Sequence, residues 1–156
     1  MNSKNRHNRR RWRAIRRLRP YRGAGVLFYR MESGKIEVLL GKRCYRPYAG
    51  RWSVPGGRCE RSHRDGRMET SWETALRETE EEIGVRFQLD GSAQEPLRTR
   101  LGVPGIFSFT TFILPYPVKA SMHCGHEFSS LEWFPLHELP IPLHHGVMRA
   151  VRKLSR

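Results

Sequence analysis

The chain has 156 residues, 38% of them hydrophobic, with a formal net charge of +14. That length suits one domain with its own core. No apolar run is long enough to span a bilayer, the N-terminus lacks the apolar segment of a secretory signal, and three cysteines without a CxxC pair argue against a disulfide framework, so the expected setting is the reduced cytoplasm.

The charge is unevenly placed. Residues 1–22 hold ten Lys/Arg and no Asp/Glu, whereas the other 134 hold 19 basic and 15 acidic residues. Residues 1–21 therefore read as a basic, flexible arm on a domain of 22–156. Blocks of like charge are commonly solvated tails. The sharper alternative is a segment that binds RNA, DNA or another polyanion. Trp12, Ile15 and Leu18 stand three apart, which permits a short amphipathic helix. An organelle transit peptide is a minor alternative.

After the arm, "GAGVLFYR" (23–30) and "KIEVLLGKR" (35–43) predict two strands joined in a hairpin at Gly34. "YRPYAGRW" is a loop, and "WSVPGG" ends a short strand at Pro-Gly-Gly. "RCERSHRDGR" is polar and irregular. A helix is expected from about Glu69-Thr70-Ser71 to a glycine cap at Gly84. "FTTFIL" (109–114) predicts a strand starting near Ile106, and "SSLEWF" (129–134) a late one. "LHHGVMRAVRKL" predicts a C-terminal amphipathic helix with a basic last turn. Strands and helices mix without strict alternation, which favours an α/β class with a mixed sheet.

The stretch "RETEEEIGV" (77–85) places four glutamates among nine residues. At about 100° per residue, Trp72, Ala75, Leu76, Thr79 and Ile83 share one helical face. Glu78, Glu81 and Glu82 flank that face at spacings of i, i+3 and i+4, so their carboxylates can converge. Glu80 points elsewhere, to solvent. Converging carboxylates raise one another's pKa unless a cation lies between them. Hard oxygen donors suit Mg²⁺ or Mn²⁺ rather than zinc. The competing reading is an acidic solvent face with pairs such as Arg77–Glu81. His123, Cys124 and His126, with His144 and His145 further on, fit no standard zinc spacing and give a zinc site little weight.

"WSVPGG" upstream and "RETEEEIGV" downstream together resemble the Nudix hydrolase family, whose box is Gly, five residues, Glu, seven residues, then Arg-Glu-aliphatic-x-Glu-Glu-x-Gly-aliphatic. Arg77, Glu78, Glu81, Glu82, Gly84 and Val85 fit its second half, and Glu69 stands seven residues before Arg77. "VLLGKR" and "HEFSSLEWFPLHELP" are similar to the family's flanking segments, so the resemblance covers roughly 22–155. The sequence departs from the pattern in three places. Eleven residues rather than five separate Gly57 from Glu69, His63 occupies the glycine position counted back from Glu69, and Thr79 stands where an aliphatic residue is usual.

The resemblance implies the Nudix fold, an α/β/α sandwich with a mixed sheet. It implies Mg²⁺-dependent hydrolysis (Mn²⁺ as the alternative) of the pyrophosphate bond of a nucleoside diphosphate derivative, with release of a nucleoside monophosphate. Carried over residue by residue, Glu78, Glu81 and Glu82 bind metal, with the Gly57 carbonyl as a further ligand. Arg77 orients a glutamate. Glu127, in "CGHEFSS", is the late-loop acid that binds metal or acts as base. Arg43, Arg46 and Arg51 are candidates for phosphate oxygens, and Phe107, Phe109 and Tyr29 for stacking on a base. The expected substrate is a (deoxy)nucleoside triphosphate, oxidised ones included. ADP-ribose, a nucleotide sugar, an RNA 5′ end, and a non-catalytic nucleotide- or RNA-binding module are the alternatives, and a homodimer is an open option.

Overall fold

Alternation along the first strand, β1 (Tyr21–Glu32), sends Ala24, Val26 and Phe28 to one face and Leu27 and Tyr29 to the other. The computed structural model describes residues 20–62, 65–87, 96–117 and 120–156. After β1 come β2 (Lys35–Arg43), β3 (Trp52–Ser53), β4 (Gly56–Arg58), the helix α1 (Ser71–Ile83), β5 (Leu97–Val103), β6 (Phe107–Pro115), β7 (Phe128–Pro135) and the helix α2 (His145–Leu154).

Each face of the sheet receives one helix. Ala75 and Ile83 of α1 pack with Ala24, Val26, Phe28, Phe112 and Leu114. Val147, Ala150 and Val151 of α2 pack with Leu27, Val38, Leu40 and Ile113 on the other side. The result is the expected α/β/α sandwich. The sheet follows the path β3-β2-β1-β6-β5, with β4 added to β1 and β7 to β2. It is mixed: β1 and β6 run parallel over Tyr21–Tyr29, and the other pairs are antiparallel. Among the described residues no helix is long and apolar enough to cross a membrane.

β1 divides its second edge between two partners. Tyr29–Glu32 pair with β2, and Gly23–Gly25 pair with β4. The second pairing explains the "GAG" of the strand. A Cβ at Gly25 would lie 2.4 Å from the Pro55 carbonyl oxygen, and one at Gly23 would lie 2.6 Å from that of Gly57. Two absent side chains therefore seat the Pro55–Gly57 turn on β1, close beneath α1.

Several boundaries differ from the sequence reading. Tyr21 belongs to β1 rather than to the arm, and the rest of the arm, with Trp12, Ile15 and Leu18, lies outside the described residues. β5 was not expected at all. The extra residues before α1 form a small antiparallel finger: Arg61 bridges Met68, and Glu69 N–H donates to the Glu60 carbonyl at 2.8 Å. His63 lies outside the described residues. The pairing of Glu60 with Glu69 holds Glu69 in place before α1.

Thr79 of α1 is fully buried, and its hydroxyl has no hydrogen-bond partner among the described residues. An unpaired buried hydroxyl costs about 1–3 kcal/mol. Thr79→Val keeps the shape and removes the polar atom, so it is expected to stabilise the fold by about 1 kcal/mol. Urea unfolding checks this: the midpoint rises with an unchanged slope. A lower midpoint would show that the hydroxyl has a partner.

Candidate active site

The caps of α1 fix which side chains face the Pro55–Gly57 turn. Thr70 is the N-cap, accepting from Glu73 N–H at 3.2 Å while Glu73 accepts from Thr70 N–H at 2.8 Å. Gly84 closes the helix in the left-handed region at φ 71°, where its N–H reaches the Glu80 carbonyl. Within this frame Arg77, Glu78, Glu81 and Glu82 sit beside the turn, and exposed Glu80 points away and pairs with Arg86.

Arg77 is the centre of the acidic group. Its Nε and Nη2 hold Glu69 Oε1 and Oε2 at 2.8 and 3.0 Å in a two-point contact. Nη1 lies 2.9 Å from Glu78 Oε1 and 3.0 Å from Glu81 Oε2, and Nη2 also donates to the Arg58 carbonyl at 3.0 Å. Glu69 accepts further bonds from Glu60 N–H and the Thr74 hydroxyl, each at 3.0 Å. The Arg77 hydrogen bond is the chief reason that the Glu69 carboxyl lies below its usual range.

The other glutamates face the turn. Glu82 is buried, and its Oε2 accepts from Gly56 N–H at 2.8 Å. A Cβ at Gly57 would stand 2.3 Å from Glu78 Oε1, so glycine leaves a cradle for that carboxylate. Burial raises the Glu78 carboxyl, against the pull of Arg77. Burial pushes Glu82 up to about 8, with the charges of Glu78 and Glu127 adding to it. Glu127 is half-buried on the loop before β7 and pairs with Arg43 Nη2 at 3.1 Å.

Arg43 connects this acidic group to a cavity of about 610 Å³, whose lining includes Tyr21, Arg43, Gly57, Phe107, Phe109 and His144. Tyr21 and Phe107, paired across β1 and β6, stack with centroids 5.4 Å apart and planes at 19°. His144, the N-cap of α2, contacts Tyr48 edge-on at 4.7 Å. Burial, then the charge of neighbouring His145, lowers its pKa and favours a neutral ring. One wall of the cavity is therefore aromatic and the other glycine backbone over carboxylates.

The predicted site residues divide accordingly. Glu78, Glu81, Glu82, Gly57, Arg77, Glu127, Arg43, Phe107 and Phe109 gather around the cavity and the adjoining turn. Arg46 is exposed and stands outside the lining, and Arg51 Nη1 donates to the Leu143 carbonyl at 3.2 Å. Tyr29 packs in the core beneath α2. Tyr21, Tyr48, Leu101, His144 and His145 also line the cavity and were not placed there from sequence. Tyr21 in particular falls in the arm on the sequence reading, two residues before the predicted strand.

Among the described residues no three acidic, histidine or cysteine side chains lie close enough together to hold an ion as they stand. Arg77 lies between Glu78 and Glu81, and Glu82 is turned to Gly56 N–H. His123 packs on Gly84, and the Cys124 thiol donates to the Phe128 carbonyl.

The donors nonetheless fit a hard divalent cation. All are oxygens, the Gly57 cradle keeps the Glu78 carboxylate reachable, and two carboxyls held above their ordinary range ionise readily only beside positive charge. A stability prediction follows for metal-free protein. Glu82 binds its proton more tightly folded than unfolded, so its contribution is complete below about 4.5 and lost as pH rises to about 8. Thermal stability in chelator is expected to fall across that window, and Mg²⁺ to restore more of it at the alkaline end. Calorimetry at both ends checks this, and an equal Mg²⁺ shift at each would contradict it.

A family model described as the NUDIX domain matches residues 19–154. Over 64 residues the chain is 36% identical to a bis(5′-nucleosyl)-tetraphosphatase (asymmetrical) of Caenorhabditis elegans, a stretch that is 41% of each protein. The match therefore spans less than half of that relative. The fold is similar to a crystal structure of a C. elegans Ap4A hydrolase binary complex, with a TM-score of 0.65 and 24% identity over 86% of this chain and 95% of that one. It is equally similar to a MutT NUDIX hydrolase from Burkholderia pseudomallei, with a TM-score of 0.65 and 25% identity over 86% and 98%.

Proposed function

The chain belongs to the Nudix hydrolase family, and from that premise we propose that it hydrolyses the pyrophosphate bond of a nucleoside diphosphate derivative with Mg²⁺ or Mn²⁺, releasing a nucleoside monophosphate. The proposed substrate is a (deoxy)nucleoside triphosphate, oxidised ones included. The observation that carries this reading is the single cavity that joins an aromatic wall of Tyr21, Phe107 and Phe109 to Gly57, which lies on Glu78. A flat base has rings to stack on, and the phosphate chain has Arg43 and the carboxylate side of the cavity ahead of it.

Carboxylates repel a pyrophosphate, so they serve it only through cations. Glu78, Glu81, Glu82, the Gly57 carbonyl and Glu127 are the groups that would hold them. When bound, the cations neutralise phosphate charge and acidify water. The chain's own residues do the rest. Arg77 orients Glu78 and Glu81 through one nitrogen. Arg43 is shared between Glu127 and the cavity, so it can hold a phosphate oxygen. Glu81, at 58% side-chain exposure, faces solvent more than Glu78 at 13%, and we assign it the proton of the attacking water.

A second reading is a dinucleoside tetraphosphate substrate, favoured by the stretch that is 36% identical to the C. elegans tetraphosphatase. A substrate panel with Mg²⁺, resolved by chromatography, separates the two. The panel contains nucleoside triphosphates, oxidised dGTP, dinucleoside polyphosphates, ADP-ribose, nucleotide sugars and triphosphorylated RNA. The first reading predicts nucleoside monophosphate plus pyrophosphate from a triphosphate. Preferred cleavage of the dinucleoside would establish the second. Binding without turnover on any member would overturn both in favour of a binding module.

A further inference from the structure

A second cleft, of about 560 Å³, opens at the end of the sheet beyond the aromatic wall. Phe107 lines both cavities. Arg22 of β1, Arg100 of β5 and Arg149 of α2 meet there, and among the described residues no carboxylate lines the cleft. All three arginines are exposed. Arg22 also borders a neighbouring cleft of about 390 Å³ with Arg58, Arg61 and one carboxylate, Glu60. The Arg58 guanidinium lies over the Tyr21 ring, 5.7 Å from its centroid, so this basic surface adjoins the stacking pair.

Unpaired guanidinium groups repel one another, and gathering three around one cleft is unfavourable until an anion enters. Pro20 lines both clefts, so the chain enters the fold between them. The residues before it supply nine of the ten Lys/Arg of residues 1–22. The pattern is extended rather than focal. It runs through two open clefts joined at Arg22, and among the described residues no buried polar side chain lines them to orient one small molecule. Such a surface suits a chain of phosphates, with a stacking pair at one end for a base.

We propose that Arg22, Arg100 and Arg149 form a binding track for the phosphodiester backbone of a single-stranded nucleic acid, continued by Arg58 and Arg61. A strand on the track would pass Phe107 and place its terminal base against Tyr21. This inference concerns binding and stands whether or not the chain hydrolyses nucleotides.

The test is fluorescence anisotropy of the full chain with labelled oligo(U) and oligo(dT) over a salt series in chelator. Each phosphate neutralised on a single strand contributes about 0.7 to the slope of log K against log salt. Arg22→Ala/Arg100→Ala/Arg149→Ala is expected to lower that slope by about 2 and to weaken binding about tenfold or more at low salt. The corresponding triple Lys variant keeps the charge, so it is expected to retain most of the slope and to show that the fold is intact. Lys35→Ala/Lys42→Ala/Arg156→Ala removes equal charge from exposed positions outside both clefts and is expected to change the slope little. An Ala variant with the full slope, or a control that loses as much, would overturn the track. A difference between oligo(U) and oligo(dT) would identify which strand it takes.

Discussion

Glu81→Gln is expected to lower kcat/KM by about a hundred- to ten-thousandfold while the protein stays folded. The two halves of this expectation have separate causes. Glu81 carries the largest side-chain exposure among the three box glutamates and contacts Arg77 through one oxygen at 3.0 Å. A surface pair of this kind contributes at most about 1 kcal/mol, so its loss leaves the fold in place. Glutamine keeps the shape and the oxygen but cannot take a proton or bring a full negative charge to a cation. Turnover should therefore collapse with kcat rather than through KM. Steady-state kinetics with thermal unfolding of the same preparation checks this, and near-normal kcat would remove Glu81 from the chemistry.

Arg77→Met is expected to destabilise the fold, unlike Glu81→Gln. The guanidinium is 25% exposed, and it neutralises Glu69 at 11% and Glu78 at 13% exposure. Removing one member of a buried ion pair costs about 3–5 kcal/mol, and the partial exposure here brings the expected loss to about 2–3 kcal/mol. Arg77→Lys should recover only part of it, because an ammonium cannot make the two-point contact with Glu69. The loss also has a pH signature. Arg77 holds the Glu69 carboxyl below its usual 4.5, so the stability it confers is present above that value and fades as pH falls through the lowered pKa. The gap between native chain and variant should narrow in acid. Denaturant unfolding over a pH series measures it, and a gap independent of pH would mean that the packing of the arginine stem, not its charge, carries the effect.

Much of this architecture was legible in local sequence. The glutamate helix is expected from sequence to start near Glu69-Thr70-Ser71 and to stop at Gly84, and the structure places its ends at Ser71 and Ile83. The apolar runs in "GAGVLFYR" and "FTTFIL" predict strands, and the two faces of those strands receive α1 and α2. β5 was missed because Arg98 and Arg100 alternate with Leu97, Thr99 and Leu101 on a largely exposed edge strand. The alternation is present, but no apolar run marks it.

The site was legible on its acidic side only. "RETEEEIGV" named the carboxylates, but helical spacing alone could not show that Arg77 would hold Glu69, Glu78 and Glu81 together while Glu82 turned to Gly56 N–H. The aromatic wall is assembled from positions far apart in the chain. Tyr21 meets Phe107 through a parallel strand pairing, and His144 arrives at the start of α2. Long-range pairing of that kind leaves no local mark. Arg46 and Arg51 looked suitable because they flank the box, yet Arg51 is used to hold the chain at Leu143.

The central proposal is that water attacks a phosphorus of a nucleotide where this cavity meets Gly56 and Gly57, with divalent cations held by Glu78, Glu81 and Glu82 behind them. The most direct measurement is turnover of a nucleoside triphosphate in ¹⁸O-enriched water, with mass spectrometry of the products in Mg²⁺ and in chelator. The account predicts one labelled oxygen on phosphorus per cleavage in Mg²⁺, and no cleavage in chelator or with Glu81→Gln. Unlabelled phosphorus-bound oxygens, or equal cleavage in chelator, would contradict it.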